Sequence, residues 1–335
     1  MKHILVTDTH LGIKKNNDVY IESFNDLIGD VCEYAYKYKI KSLIHLGDFF
    51  DTRKSLSLKV IDTAINAMEK LEDVFDLIHL IVGNHDTYYR NQITPTSLSL
   101  FEEHDIAKVI TQPTMFNDIL LVPYLFDPDV LKDNTCNYCM GHFDISGFEM
   151  NSSGSISLYT KLKMSDFSGF KKTFSGHYHV PSTQLNIQYL GSPMQFTFNE
   201  INQKLGFYVF DDENGKTNFI EFTKYPKHVI IKDTVNINDI DIKGNNIKLI
   251  FTRDHGIEKN SEIVNSILTK DPNKLNVDYF NIDTTVDDVD GDVSILSKID
   301  ILYDYYNKTN IPEHLNKLAL VKLTNKIYKK TIGEC

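Results

Sequence analysis

Three apolar runs, each followed by a cluster of polar residues, constrain the fold of this chain most strongly. The runs cover residues 2–7, 42–46 and 77–82, and apolar residues at helical spacing follow at about 20–38 and 55–71. Buried strands that alternate with helices in this way form a βαβαβ unit with parallel strands. The polar clusters then lie at the carboxyl edge of one sheet, where open α/β folds bind their ligands.

The pattern changes after about residue 110, where short strand candidates follow one another with little helix between them. This pattern predicts a second, partly antiparallel sheet packed against the first, with one short helix near 156–165. The strand candidates are residues 118–122, 136–141, 171–175, 186–190, 205–211 and 217–223.

A further change follows Tyr225 and Pro226. Strand patterns at 228–232, 246–252 and 276–283 surround a helical pattern at 260–269, which predicts a compact α+β cap. The aspartate-rich stretch at 283–292 does not match the ligand spacing of a calcium loop, so it is interpreted as an acidic linker. Two helices at about 293–307 and 312–330 end the chain, and the second has an apolar stripe that must bury against something.

Composition narrows the protein class. The 335 residues are 41% hydrophobic, enough for a large core, and no apolar stretch approaches the roughly 20 residues needed to span a bilayer. With no signal peptide at the N-terminus, an intracellular protein is expected. The net charge of −11 argues against a generally basic nucleic-acid surface, but it leaves room for a local basic track or metal-mediated phosphate binding.

The four cysteines do not form a disulfide framework in so long a chain. Cys136 and Cys139 have zinc-finger spacing but lack a second pair, so they are interpreted as small residues entering a buried strand.

Polar side chains at the strand ends carry the predicted chemistry. The turn Gly83-Asn84-His85-Asp86 alone is weak evidence, because it suits an ordinary turn or helix start. However, five of the twelve histidines occupy such turns, in the company of aspartate and asparagine. Carboxylate, amide and imidazole groups together are a ligand set for two divalent cations. The residues are Asp8, His10, Asp48, Asp51, Asn84, His85, His142, His177 and His179.

These motifs, in this order, resemble the calcineurin-like metallophosphoesterase superfamily. They are Asp8-x-His10, Gly47-Asp48-x-x-Asp51, Gly83-Asn84-His85-Asp86, Gly141-His142 and Gly176-His177-x-His179. Flanking segments at 47–53, 141–148 and 189–193 resemble the SbcD family of DNA break-processing nucleases, including its phage recombination endonuclease members. The resemblance implies a two-sheet α/β sandwich flanked by helices. It also implies a nuclease domain at 1–225, an α+β cap at 226–290 and C-terminal helices at 291–335.

The resemblance also implies a role for each strand-end residue. Asp8, His10 and His179 hold one metal ion, Asn84, His142 and His177 hold the other, and Asp48 bridges them. His85 acts as an acid or transition-state stabiliser beside the scissile phosphate. Mn²⁺ or Mg²⁺ suits the oxygen ligands, and the imidazoles favour Mn²⁺.

Asp51 stands where cellular members of the nuclease family often carry histidine. One hypothesis is that its carboxylate orients and charges His85 for proton donation to the leaving oxygen. The alternative is that Asp51 caps the following helix.

The implied function is manganese-dependent DNA cleavage in recombination, repair and replication, as a 3′-to-5′ exonuclease on double strands and an endonuclease on single strands. The implied partners are DNA and an SbcC-type, SMC-like coiled-coil ATPase, within a heterotetramer built on a nuclease homodimer. The ATPase would dock on the helices at 291–335, unless these pack on their own cap. The implied location is the cytoplasm, which is the host's if the protein is phage-encoded.

Other functions remain open at this stage. The same metal pair serves phosphoprotein phosphatases and small-molecule phosphodiesterases. A non-enzymatic scaffold with a decayed site is disfavoured, because every ligand position holds a competent side chain. Lys14, Lys15, Arg53, Lys54 and Arg90 follow motif turns and are either contacts to the DNA backbone or solvated surface charges.

Overall fold

The computed structural model describes residues 1–132, 136–148, 160–253 and 255–279. The chain divides into two compact units, Met1–Lys227 and the part that begins at His228. The predicted acidic linker, the two terminal helices and the proposed docking region at 291–335 lie outside the described residues.

The N-terminal unit contains two six-stranded sheets and two long helices. Single 3-10 turns lie between strands, and Ile13–Asn16 forms a short turn in which Lys14 and Lys15 have positive φ. The helices are α1 (Asp18–Tyr38) and α2 (Leu58–Glu72). The strands are β1 (Lys2–Val6), β2 (Ser42–His45), β3 (Leu77–Ile81), β4 (Ala107–Ile110), β5 (Thr114–Phe116), β6 (Ile119–Val122), β7 (Tyr138–His142), β8 (Ile145–Ser146), β9 (Leu162–Lys163), β10 (Lys172–Gly176), β11 (Ser182–Gln184), β12 (Ile187–Tyr189), β13 (Gly206–Asp211) and β14 (Lys216–Glu221).

The first sheet has the strand order β14-β13-β1-β2-β3-β4. Strands β1 to β4 run parallel, with α1 and α2 in the connections, as the βαβαβ pattern predicts. All four residues of β2 are buried, as expected for an inner parallel strand covered on both faces. Both helices begin at side-chain caps, where Asn17 accepts from the amide of Val19 and Ser57 from that of Val60.

The second sheet has the order β11-β12-β10-β7-β6-β5. Its inner strands β12, β10, β7 and β6 are parallel, and only the two edge strands are antiparallel. The prediction that residues 205–211 and 217–223 belong to this sheet is wrong. Strand β13 instead pairs with the free edge of β1, and β14 continues that sheet. Sequence spacing identified the strands but not their partners, because pairing across so many residues depends on tertiary packing.

The helix predicted near 156–165 is not found where those residues are described. Residues 156–159 lie outside the described part of the chain, Leu162–Lys163 forms strand β9, and Met164–Phe167 is a 3-10 turn. The side chain of Asp166 accepts a hydrogen bond from the amide of Lys163 at 2.8 Å. This local bond closes a single turn rather than starting a longer helix.

The two sheets pack face to face and form a sandwich. Leu5 and Ile44 of the first sheet share one buried cluster with Met140 and Phe174 of the second. A second buried cluster lies between the first sheet and the helices, where Phe24 of α1 and Met68 of α2 are both buried. The α/β sandwich flanked by helices is therefore confirmed.

The second unit is a small α+β fold. Its elements are β15 (His228–Lys232), β16 (Asn246–Phe251), α3 (Ile257–Leu268) and β17 (Lys274–Tyr279). The three strands form an all-parallel sheet, and Ile267 of α3 belongs to the same buried cluster as Leu249 of β16. Across the described parts of both units, no helix combines the length and apolar character that crossing a membrane requires.

Candidate metal centre

Both sheets deliver polar side chains to the carboxyl ends of their parallel strands. The first sheet supplies Asp8 and His10 after β1, Asp48 after β2, and Asn84 and His85 after β3; the second supplies His142 from β7 and His177 and His179 after β10. Asp8, His10, Asp48 and His177 all adopt positive φ. Such backbone conformations are costly for residues other than glycine and are often found at functional sites.

One set of ligand atoms, the His10 cluster, is formed by Asp8, His10 and His179. Their ligand atoms lie within 4.8 Å of one another. The Nε2 atoms of the two histidines are 3.0 Å apart, and each lies 3.9 Å from Oδ1 of Asp8. The three side chains are thus directed at one small volume.

A second set, the His142 cluster, is formed by Asp48, Asn84, His142 and His177. Oδ1 of Asn84 lies 2.9 Å from Nε2 of His142 and 2.8 Å from Nδ1 of His177. Oδ2 of Asp48 lies 3.3 Å from Nε2 of His142. The structure therefore brings together every residue that the sequence assigned to a metal ion, in two neighbouring groups.

Asp48 connects the two clusters. Its Oδ2 is also 3.7 Å from Nε2 of His10, and its Oδ1 accepts a hydrogen bond from the amide of His85 at 2.7 Å. Burial favours the neutral acid, but attraction to His142 outweighs it and holds the pKa of Asp48 below its usual value. A buried carboxylate between two imidazole groups is suited to a position between two cations.

The protonation behaviour of two histidines fits a metal site. Burial, reinforced by the charge of His142, lowers the pKa of His177 to about 3, so that its ring is neutral and has a free lone pair at neutral pH. Burial acts in the same direction on His142, but attraction to Asp48 outweighs it and raises the pKa to about 9. At His142 a cation would take the place of a proton. The donor set of carboxylate, amide and imidazole groups fits divalent cations.

Other polar groups lie behind the imidazoles, at the ring nitrogens turned away from the clusters. Nδ1 of His142 donates to the carbonyl of Leu46 at 2.9 Å, which leaves Nε2 free to bind a ligand. In the His10 cluster the corresponding atoms face carboxylates. Oδ1 of Asp51 is 3.4 Å from Nδ1 of His10, and Oε1 of Glu200 is 3.6 Å from Nδ1 of His179.

His85 lies beside the clusters. Its ring centroid is 4.9 Å from that of His10, and its Nδ1 is 2.6 Å from the backbone carbonyl of Asp51. The close polar contact of Asp51 with His85 is thus made by the main chain. The side chains of His10, Asp51 and His85 also form a third group of possible ligands within 4.8 Å. The helix-cap alternative for Asp51 is wrong, because Ser57 caps α2.

Glycines allow the motif turns to approach each other closely. A Cβ atom at Gly83 would collide with the backbone nitrogen and carboxylate of Asp48, and one at Gly176 would collide with Thr7. Buried Asp86 ties the same turns together by accepting hydrogen bonds from the amides of Gly83 and Phe50, at 2.9 and 3.1 Å. Burial and the nearby charge of Asp48 raise the pKa of Asp86 to about 7.

Two residues at this site were not identified from the sequence. Glu200 is only 3% exposed and accepts from the amide of Thr197 in a capping box, and its sequence signal was the Thr-x-x-Glu pattern. Burial favours the neutral acid, but the neighbouring His179 outweighs it and lowers the pKa of Glu200. Tyr124 has its ring 6.0 Å from that of His142 and 5.8 Å from that of His177, and no local motif indicated this.

Comparison with known proteins agrees with this arrangement. Exonuclease subunit 1 of Enterobacteria phage T4 is 29% identical to the chain, over 98% of both proteins. The SbcCD nuclease subunit of Staphylococcus epidermidis is 26% identical, over 64% of this chain and 67% of that protein. The DNA double-strand break repair protein Mre11 of Methanosarcina mazei is 28% identical, over 43% of this chain and 21% of that protein. The model of the calcineurin-like phosphoesterase family matches residues 1–181, more than half of the chain. The chain therefore belongs to the calcineurin-like phosphoesterase family.

Proposed function

We propose that this chain is a divalent-metal-dependent DNA nuclease that acts in DNA recombination, repair and replication. The observation that carries the proposal is the buried Asp48 carboxylate between two ligand clusters, with the amide of His85 bonded to it. The relatives support DNA as the substrate, because their names describe an exonuclease, a nuclease subunit and a DNA break repair protein. The family supports phosphoester hydrolysis as the reaction.

In this proposal, each cluster holds one divalent cation and Asp48 contributes to both. Asp8, His10 and His179 bind one ion, and Asn84, His142 and His177 bind the other. The chemistry that two such ions would supply when bound is polarisation of a water molecule and neutralisation of charge on the phosphodiester. Among possible ions we propose Mn²⁺, with Mg²⁺ as the alternative, because the imidazoles make the donor set softer than one of oxygen alone.

His85 is the proposed proton donor to the leaving oxygen, and Asp51 is its positioning residue. In the imidazolium form of His85, Nδ1–H donates to the Asp51 carbonyl and Nε2–H is the proton available for transfer. As the water oxygen bonds to phosphorus and loses one proton to solvent, the phosphorus–oxygen bond to the leaving group breaks and Nε2 of His85 gives its proton to the departing oxygen. His85 then regains a proton from solvent. The backbone contact holds the ring in the orientation that this transfer needs.

The direct test is cleavage of labelled DNA by the full chain. End-labelled linear duplex and circular single-stranded DNA are incubated with Mn²⁺ or Mg²⁺, and we expect shortening of the duplex from its 3′ ends and opening of the circles. His85→Ala should lower both rates by about 10² to 10⁴-fold while metal content stays unchanged. His104→Ala is the matched control, because His104 pairs with Glu72 and belongs to neither cluster.

Two outcomes would overturn different parts of the proposal. Loss of bound metal in His85→Ala would make His85 a ligand and overturn its role as proton donor. Hydrolysis of phosphoprotein or small phosphodiesters with no cleavage of either DNA would overturn the nuclease function and favour the phosphatase or small-molecule phosphodiesterase alternative.

We further propose that the chain works with an SbcC-type coiled-coil ATPase, as a nuclease homodimer within a heterotetramer. The SbcCD nuclease subunit among the relatives supports this. Residues 291–335 are the proposed docking segment. Deleting the chain from residue 293 should abolish co-purification with the ATPase and spare basal nuclease activity. A truncated chain that still binds the ATPase would show that docking lies elsewhere.

A further inference from the structure

A pair of tyrosines stands exposed immediately after the 83–86 turn. Tyr88 and Tyr89 are 44% and 48% exposed, and their rings lie 4.7 Å apart at an angle of 79°. Arg90 follows them and is also exposed. The segment therefore presents two adjacent aromatic rings and a guanidinium group to solvent.

The base of this segment is fixed. Thr87 is buried, forms an antiparallel bridge with Thr96, and donates its hydroxyl to the carbonyl of Asn84 at 3.2 Å. The amide of Tyr88 donates to the carbonyl of Pro95 at 3.1 Å. Because the backbone at the base is already ordered, binding through the two rings carries a small entropic cost.

The tyrosines also lie close to the proposed proton donor. Tyr88 is three residues after His85, so their Cα atoms are at most about 11 Å apart. A nucleotide next to the cleaved phosphodiester is therefore within reach of the rings.

We propose that Tyr88 and Tyr89 bind an unpaired nucleobase next to the cleaved bond, with Arg90 at the flanking phosphate. This rests on the nuclease function proposed above. Aromatic side chains stack on any base, but a base inside a duplex has both faces covered, so the pair selects frayed ends and single strands. Because the chain has a net charge of −11, general electrostatic attraction adds little to its affinity for DNA. An uncharged contact such as base stacking therefore accounts for a larger share of that affinity.

The test measures binding of two oligonucleotides of equal length, oligothymidine and its abasic counterpart. The full chain carries His85→Ala to prevent cleavage, and the measurement is fluorescence anisotropy. Replacing both tyrosines by alanine should weaken oligothymidine binding by about 10-fold or more and leave binding of the abasic strand unchanged. Replacing both by phenylalanine should retain affinity, and Tyr36→Ala, at an 80% exposed tyrosine of α1, is the matched control.

Salt dependence separates stacking from charge. The double alanine variant should keep the slope of log affinity against log salt, whereas Arg90→Gln should reduce its magnitude by about 0.7 for a single strand. Equal loss on both oligonucleotides, unchanged affinity in the alanine variant, or equal loss in the phenylalanine variant would each overturn the stacking proposal.

The two proposals fail in different ways. With His85 intact, the double alanine variant should cleave the abasic strand at the wild-type rate. If wild type cuts neither strand, the nuclease function is refuted. If wild type cuts both and the alanine variant is indistinguishable on oligothymidine, only the stacking site is refuted.

Discussion

In the His10 cluster the outer nitrogens of both histidines face carboxylates, whereas in the His142 cluster the outer nitrogen of His142 donates to a backbone carbonyl. The carboxylates belong to Asp51 and Glu200, and the carbonyl to Leu46. A carboxylate behind an imidazole makes that ligand more basic and orients it, and a carbonyl orients it with less charge. The two proposed metal sites are therefore tuned by different means.

The clusters also differ in the groups that support them, although each contains one half-buried histidine, His179 in one and His177 in the other. The His10 cluster depends on replaceable side chains. The His142 cluster depends on the main chain. This difference allows one cluster to be weakened by substitution without the other.

The largest effect is expected where the clusters meet. Asp48→Asn removes the charge that both clusters share, so both should lose metal and kcat/KM should fall by about 10³-fold or more. Metal content by mass spectrometry, measured beside nuclease activity, checks this. Asp129→Asn, at an exposed residue paired with Lys132, serves as the control. Loss of metal from one cluster only would show that Asp48 is not shared.

The second largest effect is expected from adding a methyl group where Gly83 approaches Asp48. Gly83→Ala places a methyl group against Asp48 and should destabilise the fold by about 1–3 kcal/mol while weakening both clusters together. Gly29→Ala is the matched control, because Gly29 lies in α1 with open space around it. That change should instead stabilise by about 0.5–1 kcal/mol. Urea unfolding measures both, and equal stability of the two variants would contradict the close approach.

Glu200→Gln should affect one cluster. Glutamine can still accept the hydrogen bond from the amide of Thr197, but it removes the charge behind His179. We expect metal affinity at the His10 cluster to fall by about 10 to 100-fold and the other site to stay unchanged. Calorimetric titration with Mn²⁺ should resolve a weakened and an unaltered site. Equal weakening of both sites would remove the distinction between the clusters.

Asp51→Asn should give the smallest effect. The carbonyl that contacts His85 is retained, while the carboxylate near Nδ1 of His10 is lost. We expect about 10-fold weaker binding at the His10 cluster and near-normal turnover at saturating Mn²⁺. Steady-state kinetics across a metal titration checks this. Lower turnover with unchanged metal affinity would instead support the hypothesis that the carboxylate acts on His85.

The sequence predicted the parts of the site that are encoded locally. Asp8, Asp48 and Asn84 follow apolar runs, so their place at strand ends is apparent from the pattern alone. Contacts that depend on long-range packing were not predicted. Glu200 reaches His179 only because its capping turn packs beside the second sheet's strand ends, and β13 joins β1 across most of the unit.

The pairing of Asp51 with His85 shows a different limit. The sequence led to the hypothesis that the Asp51 carboxylate contacts His85, because a sequence gives the identity of each side chain but not the contacts of the backbone. The structure gives the shortest contact to the backbone carbonyl, which any residue at position 51 would supply.

We propose that the two clusters form one dinuclear centre joined by Asp48. Electron paramagnetic resonance of the Mn²⁺-loaded chain tests it most directly, because ions that share a carboxylate are magnetically coupled. We expect a coupled spectrum in wild type and in His85→Ala, and its loss in Asp48→Asn. A wild-type spectrum of isolated Mn²⁺ ions at full loading would contradict the claim.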